Sequence, residues 1–331
     1  MAKGKKDKEA ENQSEIYWKP QSGLWFIAAV VAILVALIVD LFVPDVQFVN
    51  TLPYQIFLGL FAFTLLVLWV ISVKIHALRK IVYHQAQLIF AIAIALMIWD
   101  LLSTKSNILP LPFFPGPAQI ISVIVSERET FLISSYYSLR LFSAGLILGT
   151  LIGISTGILI GWNRQWYYWL FPVIKITGII PSIAWIPIAV VVFPNSFTAG
   201  LFLIVIASWF SVAFMVAGGI ASTPKVYYEA ALTLGANERF LLTHVAIPNA
   251  VPDIFTGLST ATGFSFLTLI VSEMIGAKAG LGWYINWAKT WSAYDKVYAS
   301  IVIMAIVFSI ILAALNSIRN YVLRWKRGIS K

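Results

Sequence analysis

Apolar runs of about 20 residues recur along this chain, and each is long enough to cross the hydrocarbon core of a bilayer. Leu24 to Val43, Tyr54 to Val73, a third span to which Leu88 to Leu102 belongs, Tyr136 to Trp162, Trp166 to Phe193, Thr198 to Gly218, Ile254 to Ile275 and Val297 to Ile318 are the candidate spans. The runs are continuously apolar, not alternating, so they predict helices and exclude the strands of a membrane barrel. Only 11% of the residues are charged, against roughly 25% in a soluble domain. The expected fold class is all-α: a polytopic integral membrane protein with about eight transmembrane helices.

Charge sets the orientation. A net charge of +9 suggests nucleic acid in a soluble protein, but here the basic residues gather in alternate loops, as in membrane proteins with positive loops inside. The outer exceptions are Lys105, Arg128, Arg140, Lys278, Lys289 and Lys296. Both termini are therefore expected in the cytoplasm of a multi-pass protein of the inner membrane. Residues 1–22 read as a basic cytoplasmic tail, and no nucleic acid partner is expected. A cleaved signal peptide is disfavoured, because the first apolar run is too long and no small-residue cleavage site follows. The chain has no cysteine, which excludes disulfides, thiol chemistry and thiolate-bound metal.

One stretch is a polar island. From Pro224 to Pro252 the spacing predicts a helix capped by Thr223 with Pro224 as its first residue. Gly235 is placed to end that helix in the left-handed conformation. Asn237 is placed to cap a second short helix, and Pro248 to stop it. A helix, a glycine corner and a second helix result. The island's spacing resembles the cytoplasmic loop of ABC importer permeases. Glu229-Ala230-Ala231 is followed after three residues by Gly235, then after nine by Val245, Ala246, Ile247 and Pro248. Val245 and Ile247 are departures only within the aliphatic class.

The likeness extends from about Tyr83 to Lys331, and is greatest to the nitrate, sulfonate, taurine and bicarbonate group of binding-protein-dependent transport inner membrane components. Ser138-Leu139-Arg140 and Ser272-Glu273-Met274-Ile275-Gly276-Ala277 also fit that group. The resemblance implies a type I permease core over 83–331, with a coupling loop over 219–253. It implies contact of Glu229 with the ATPase; the alternative is a cap or salt bridge within the loop. Residues 23–82 form an extra N-terminal helix pair without counterpart in the usual six-span core.

The implied partners are two ABC ATPase subunits, a second permease copy, an extracytoplasmic solute-binding protein and membrane lipid. ATP and Mg are expected in the ATPase, with no cofactor in this chain, which has no Gly-x-x-x-x-Gly-Lys-Ser/Thr loop. Its outer segments are also too short for a domain that captures cargo.

No catalytic constellation is visible. His76, His84 and His244 are scattered, and no metal site is expected. The fifth span, interrupted by Gly178, Pro181 and Pro187, is the candidate path, since prolines free carbonyls that need protein or water. Thr177, Gly178, Pro181, Ser182 and Trp185 are expected near it, with Gly178, Ser182 and Trp185 roughly on one face. Thr256, Ser259 and Thr260 on the seventh span are either channel lining or helix–helix glue. Glu273 and Arg140 are candidates for an outer gate, as an ion pair or as a positive lip and an interfacial carboxylate. Gly145, Gly149, Gly153, Gly157 and Gly161 form a packing register on the fourth span. The expected function is the permease of an ATP-driven importer for a small anion such as a sulfonate, nitrate or bicarbonate. The alternatives are an uncharged or cationic heterocycle or vitamin precursor as cargo, a membrane-embedded enzyme, or a passive channel.

Overall fold

The computed structural model describes residues 23–46 and 49–328. The expected basic tail, 1–22, lies outside the described residues. Among the described residues seven helices are long and apolar enough to cross a membrane, or up to eight if one sharply bent pair counts as a span. The described residues fall into two compact units.

The first unit holds α1 (Gly23–Phe42), α2 (Leu52–Lys74), α3 (His76–Asp100) and α4 (Pro117–Ser126). Alanines let the helices approach. Ala29, Ala32 and Ala36 of α1 and Ala86 and Ala93 of α3 are buried, with Phe26, Ile33, Leu58 and Leu65 filling the space between. Small residues do this in membranes because no hydrophobic force separates helix from lipid, so close packing must supply the attraction. The third span thus shares one buried cluster with the added pair. α3 runs on through a wide π-helical turn, Leu101–Lys105. α4 starts at a proline, whose missing N–H would have no partner there. Gln119 reaches back to accept from the Gly116 N–H at 3.1 Å.

The second unit is built on α5 (Arg128–Trp162), α6 (Arg164–Ile179), α7 (Ile186–Val192), α8 (Ser196–Ala221), α9 (Lys225–Thr233), α10 (Glu238–Phe240), α11 (Ile247–Met274) and α12 (Leu281–Thr290). Most of α13 (Tyr294–Val322) also belongs to it. The glycine register on α5 is a seam against α8. A Cβ at Gly145 would meet Ile204, at Gly149 Ser208, at Gly153 Val212, at Gly157 Val216 and at Gly161 Ile220. Both series advance by four residues in the same sense, so α5 and α8 run parallel. Trp209 adds an indole hydrogen bond to Thr156 Oγ1 at 2.9 Å. α11 packs antiparallel on another side of α8. A Cβ at Gly257 would lie 3.1 Å from Val212 Cα, and one at Gly219 would lie 3.1 Å from Ala250 Cβ. α8 is therefore the central helix, and the glycines of α5, Gly257 of α11 and its own Gly219 are what let two helices close on it.

Three local expectations change. The fourth span, expected from Tyr136, starts earlier: α5 already begins at Arg128 and runs 35 residues. Thr223 does not cap α9: Pro224 occupies the cap position, and the Thr223 hydroxyl turns back to Gly219 O. Pro248 does not stop the second short helix. A π-helical stretch, Leu241–Ala246, carries α10 into α11, and Pro248 falls in the first turn of α11. The widened turn shifts the carbonyl that the proline ring would otherwise strike, so the chain stays helical through it.

Candidate functional site

The polar island folds as a rigid corner. α9 ends in a Schellman arrangement: Ala236 N donates to Ala231 O at 3.1 Å, and Gly235 N donates to Leu232 O at 2.9 Å. Gly235 has φ +85°, a value costly for residues with a Cβ. Asn237 Oδ1 accepts from Phe240 N at 2.9 Å and starts the next helix. No residue of α9 is buried. Val226, Tyr227, Leu232 and Leu234 are all exposed, Leu234 at 88%. Glu229 and Ala230 lie on the same exposed helix, and Glu229 makes no ion pair among the described residues. Neither the cap nor the internal salt bridge considered for it is formed.

The corner is anchored by its other face. Tyr228 packs into a cluster of Val216, Ile220, Ala246 and Ala250, with Trp162 at a ring distance of 6.1 Å. Asn249 Nδ2 donates to Thr223 Oγ1 at 3.1 Å, tying the end of α8 to the start of α11. Val245, Ile247 and Pro248 are half-buried at this root.

The fifth span breaks where prolines and glycine predict. α6 and the segment Ser182–Val192 meet at 95°. Gly178 admits the ring of Phe210 from α8, which a Cβ would overlap. Ser182 Oγ and Thr268 Oγ1 of α11 are 2.6 Å apart, pinning the break. Beside it lies a cavity of about 290 Å³, lined among others by Thr177, Pro181, Ser182, Phe210, Phe264 and Thr268. Trp185 is not on the lining. A 3-10 turn, Ser182–Trp185, replaces the helix assumed there, so the face shared by Gly178, Ser182 and Trp185 does not exist. Trp185 packs instead against the cluster of Ile186, Ala189, Ala199 and Leu203. The hydroxyls of Thr256, Ser259 and Thr260 donate to their own helix at Pro252 O, Phe255 O and Thr256 O. Thr256, Thr260, Phe264 and Leu267 are exposed along one face of α11, and Gly263 has open space beside it.

At the outer end of α11, Glu273 is 1% exposed. It accepts from Ser138 Oγ at 2.8 Å and from Gly282 N at 2.8 Å, while Ser138 Oγ accepts from Leu281 N at 2.8 Å. A Cβ at Gly280 would overlap its carboxyl, and Gly280 has φ +126°. The carboxylate is a clamp holding α5, α11 and the turn into α12. Arg140 does not pair with it. Its guanidinium lies over the Phe197 ring, 5.0 Å from the centroid, and the buried carboxylate is held instead by the Ser138 hydroxyl and the Gly282 N–H. Ser138, Phe210, Phe264 and Thr268 were not singled out for these roles by sequence. Ser138 alone left a trace, in the Ser-Leu-Arg motif.

Comparison with known proteins agrees with this architecture. Residues 149–328 match the family model described as binding-protein-dependent transport system inner membrane component. The bicarbonate transport system permease protein CmpB of Synechococcus elongatus is 36% identical over 149 residues, 45% of this chain and 54% of that protein, so the match spans about half of it. The taurine transport system permease protein TauC of Escherichia coli is 30% identical, covering 62% of this chain and 76% of the relative. The formylaminopyrimidine transport permease protein ThiX of Halalkalibacterium halodurans is 27% identical, covering 70% and 92%. Among solved structures, the MetNI methionine ABC transporter in an inward-facing conformation has a TM-score of 0.53 at 19% identity, over 60% of this chain and 98% of that one. An amino acid ABC transporter crystallised with histidines has a TM-score of 0.51 at 19% identity, over 61% and 97%. These two bear on the fold alone. With more than half its length inside the family match, the chain belongs to the binding-protein-dependent transport system inner membrane components, the permease subunits of ABC importers.

Proposed function

We propose that this chain forms the translocation path of an ABC importer for a small solute and does no chemistry itself. The observation that carries this is the corner at Gly235: a short helix with an exposed apolar and acidic surface, stiffened by a Schellman turn and an asparagine cap. A rigid bent pair transmits a push that a floppy loop does not. Glu229, Ala230 and Ala231 on that helix, with Gly235, Val245, Ile247 and Pro248, are assigned to ATPase docking. ATP and Mg then belong to two ATPase subunits beneath. Both termini and the corner lie in the cytoplasm, and a solute-binding protein docks on the outer side. The open face of α11, with Thr256, Thr260 and Gly263, is assigned to a second copy of the chain across the path. Arg140 and Glu273 sit at the outer end, Glu273 as a structural clamp and Arg140 as the free positive group.

The cargo class is an anion such as a sulfonate, nitrate or bicarbonate. In support, the mainly apolar cavity at Pro181 carries the hydroxyls of Thr177, Ser182 and Thr268 and no carboxylate on its lining, and relatives are permeases for bicarbonate and taurine. A planar heterocycle is the second reading, favoured by Phe210 and Phe264 on the lining and by the formylaminopyrimidine relative. The test is reconstitution with the cognate ATPase and binding protein in vesicles. Gly235→Val and Glu229→Lys are expected to insert normally yet lose ATP-driven uptake and stimulated ATPase activity. Normal stimulated ATPase activity in both would remove the docking assignment. Uptake by the unaltered chain of an anion or of a heterocycle decides the cargo.

A further inference from the structure

One end of the first unit is a small platform. It is assembled from the segment after α1, the proline-rich stretch 110–117, α4 and the first residues of α13, since 292–299 belong to this unit. The pieces are pinned to one another. Lys105 in the π-helical turn donates to Asp45 Oδ1 at 2.6 Å and to Val43 O at 2.8 Å, and Val46 N donates to Thr104 O at 3.1 Å. The segment after α1 is thereby held against the end of α3. A Cβ at Gly116 would overlap the Thr104 hydroxyl, so the proline-rich stretch presses closely on the same turn. Ala118 of α4 is buried in the cluster built by α1, α2 and α3. The Phe113 ring lies 5.2 Å from that of Tyr294, and Lys296 forms an ion pair with Glu127.

Between these pieces lies a cavity of about 350 Å³, lined among others by Val49, Pro112, Pro115, Gln119, Ser122 and Asp295. Among the described residues Asp295 is the only charged side chain on that lining. Its Oδ1 accepts from Lys296 N at 2.9 Å. The neighbouring ammonium of Lys296 is committed to Glu127, and Asp295 makes no ion pair among the described residues. A half-buried carboxylate is thus left facing the cavity without a cation. The rest of the lining is mixed. Ser122 and Gln119 bring hydrogen-bonding groups, and Val49 and the two prolines are stiff apolar walls. Ile108, Phe113 and Phe114 are exposed in and beside the proline-rich stretch. Exposed aromatic and aliphatic groups around a small polar pocket are what a protein interface with an anchor site looks like.

We propose that this platform is a docking surface for the solute-binding protein, and that its cavity receives a lysine or arginine side chain of that protein. The charge meets Asp295, and the aliphatic stem runs along Val49, Pro112 and Pro115. On the importer reading, on which this rests, the partner exists and this end of the chain faces outside. Charge complementarity selects the anchor, because a lone carboxylate on the lining attracts a cation and repels an acid. The apolar walls match the long stem of a basic side chain, which an inorganic cation would leave uncovered. The family to which the chain belongs is described by its dependence on a binding protein, so a protein is the occupant to expect on an outward surface. The pinned pieces lose little freedom when the partner arrives, which favours binding. The added helices then have a task. Val49 lies in the segment that joins them, and Ala118 sits in their cluster, so they brace the platform from one side.

The test uses the assembled importer in nanodiscs, titrated with its purified cognate binding protein. Asp295→Asn is expected to weaken the affinity by about fivefold, the upper end for a half-exposed ion pair, and to flatten its dependence on salt. Asp295→Lys brings like charges together and weakens it further. Glu129→Gln removes an equal charge from an exposed residue off the lining and leaves the affinity as it is. Benzoylphenylalanine placed at Ser122 is expected to cross-link to the binding protein under light, and this arm stands even where Asp295→Lys does not assemble. Unchanged affinity in Asp295→Asn, with no protein cross-link from Ser122, overturns the proposal. A cross-link to lipid alone also overturns it and gives the groove to the bilayer. Failure of the importer reading looks different. The unaltered chain then shows no ATP-driven uptake, whereas failure of the docking site alone leaves uptake intact in Asp295→Asn.

Discussion

Replacing Gly157 by alanine tests the α5–α8 seam with one methyl group. An ideal Cβ there lies 2.7 Å from Ala213 O, 2.7 Å from Val216 Cβ and 3.0 Å from Val216 Cγ1. Carbon–carbon contacts are comfortable at about 3.5–4.0 Å, so the helices must part by roughly 0.8–1.3 Å at that point. Neither obstacle is a flexible side-chain tip: one is backbone and the other a β-branched stem. Overpacking of this kind costs about 1–3 kcal/mol, and the helix preference of alanine over glycine returns about 0.5–1 kcal/mol. The net loss is about 0.5–2 kcal/mol, or roughly 2–30-fold in the folded ratio.

Gly218→Ala is the internal control, since nothing lies within 4 Å of its added methyl. That variant gains the helix preference without the clash. The assay is heat-induced loss of monodisperse protein in detergent, with both variants beside the unaltered chain. Gly157→Ala is expected to melt below it and Gly218→Ala at or above it. Adding Gly153→Ala to Gly157→Ala is expected to cost less than the sum, because α8 has already moved. Equal melting of Gly157→Ala and Gly218→Ala would refute the close parallel seam and return the glycine register to mere composition.

The cavity, the clamp and the orientation give three more expectations. Ser182→Trp fills the cavity beside Pro181 and is expected to stop uptake in vesicles at matched protein levels, while the lipid-exposed control Ile306→Trp leaves it intact. Glu273→Ala strands Ser138 Oγ and the Gly282 N–H, each unsatisfied group costing about 1–3 kcal/mol, and is expected to speed proteolysis of the Gly276–Gly280 turn far more than Glu273→Gln. Asn237→Cys, the sole thiol in a cysteine-free chain, is expected to resist an impermeant reagent in intact cells; labelling from outside would invert the topology.

Legibility followed the range of the forces. The spans were readable because length and continuous apolarity are properties of a segment alone. Gly235 and Asn237 were readable because a left-handed residue and a helix cap are settled within a few residues. Thr223 misled because two caps competed: Pro224 holds an extended φ and ψ that can itself end the turn, so the threonine hydroxyl was free to serve α8 and Asn249. Pro248 misled because the π-helical turn that tolerates it forms only with tertiary support. The glycine register showed that α5 packs closely but not on what; its partner series on α8 carries serine, valine and isoleucine, with no motif of its own. Glu273 and Arg140 are adjacent in topology, and only the third dimension shows Ser138 in the place expected for the arginine.

One mechanical consequence follows from where the corner is rooted. Tyr228 of α9 packs against Val216 and Ile220 of α8 and against Ala246 and Ala250 at the base of α11. Those two helices both line the cavity, α8 through Phe210 and α11 through Phe264 and Thr268. Along α8 the step from Val216 to Phe210 is about 9 Å at 1.5 Å per residue. The glycine seam backs α8 with α5, so α8 has little freedom to bend away from α11. A displacement of α9 is therefore delivered to α8 and α11 as rigid bodies, not absorbed in between. The break in the fifth span, bent by 95°, is tied to α11 by the Ser182–Thr268 hydrogen bond. On the proposed docking role, movement beneath the membrane opens or closes the chain at that joint, and the cavity is where it is felt.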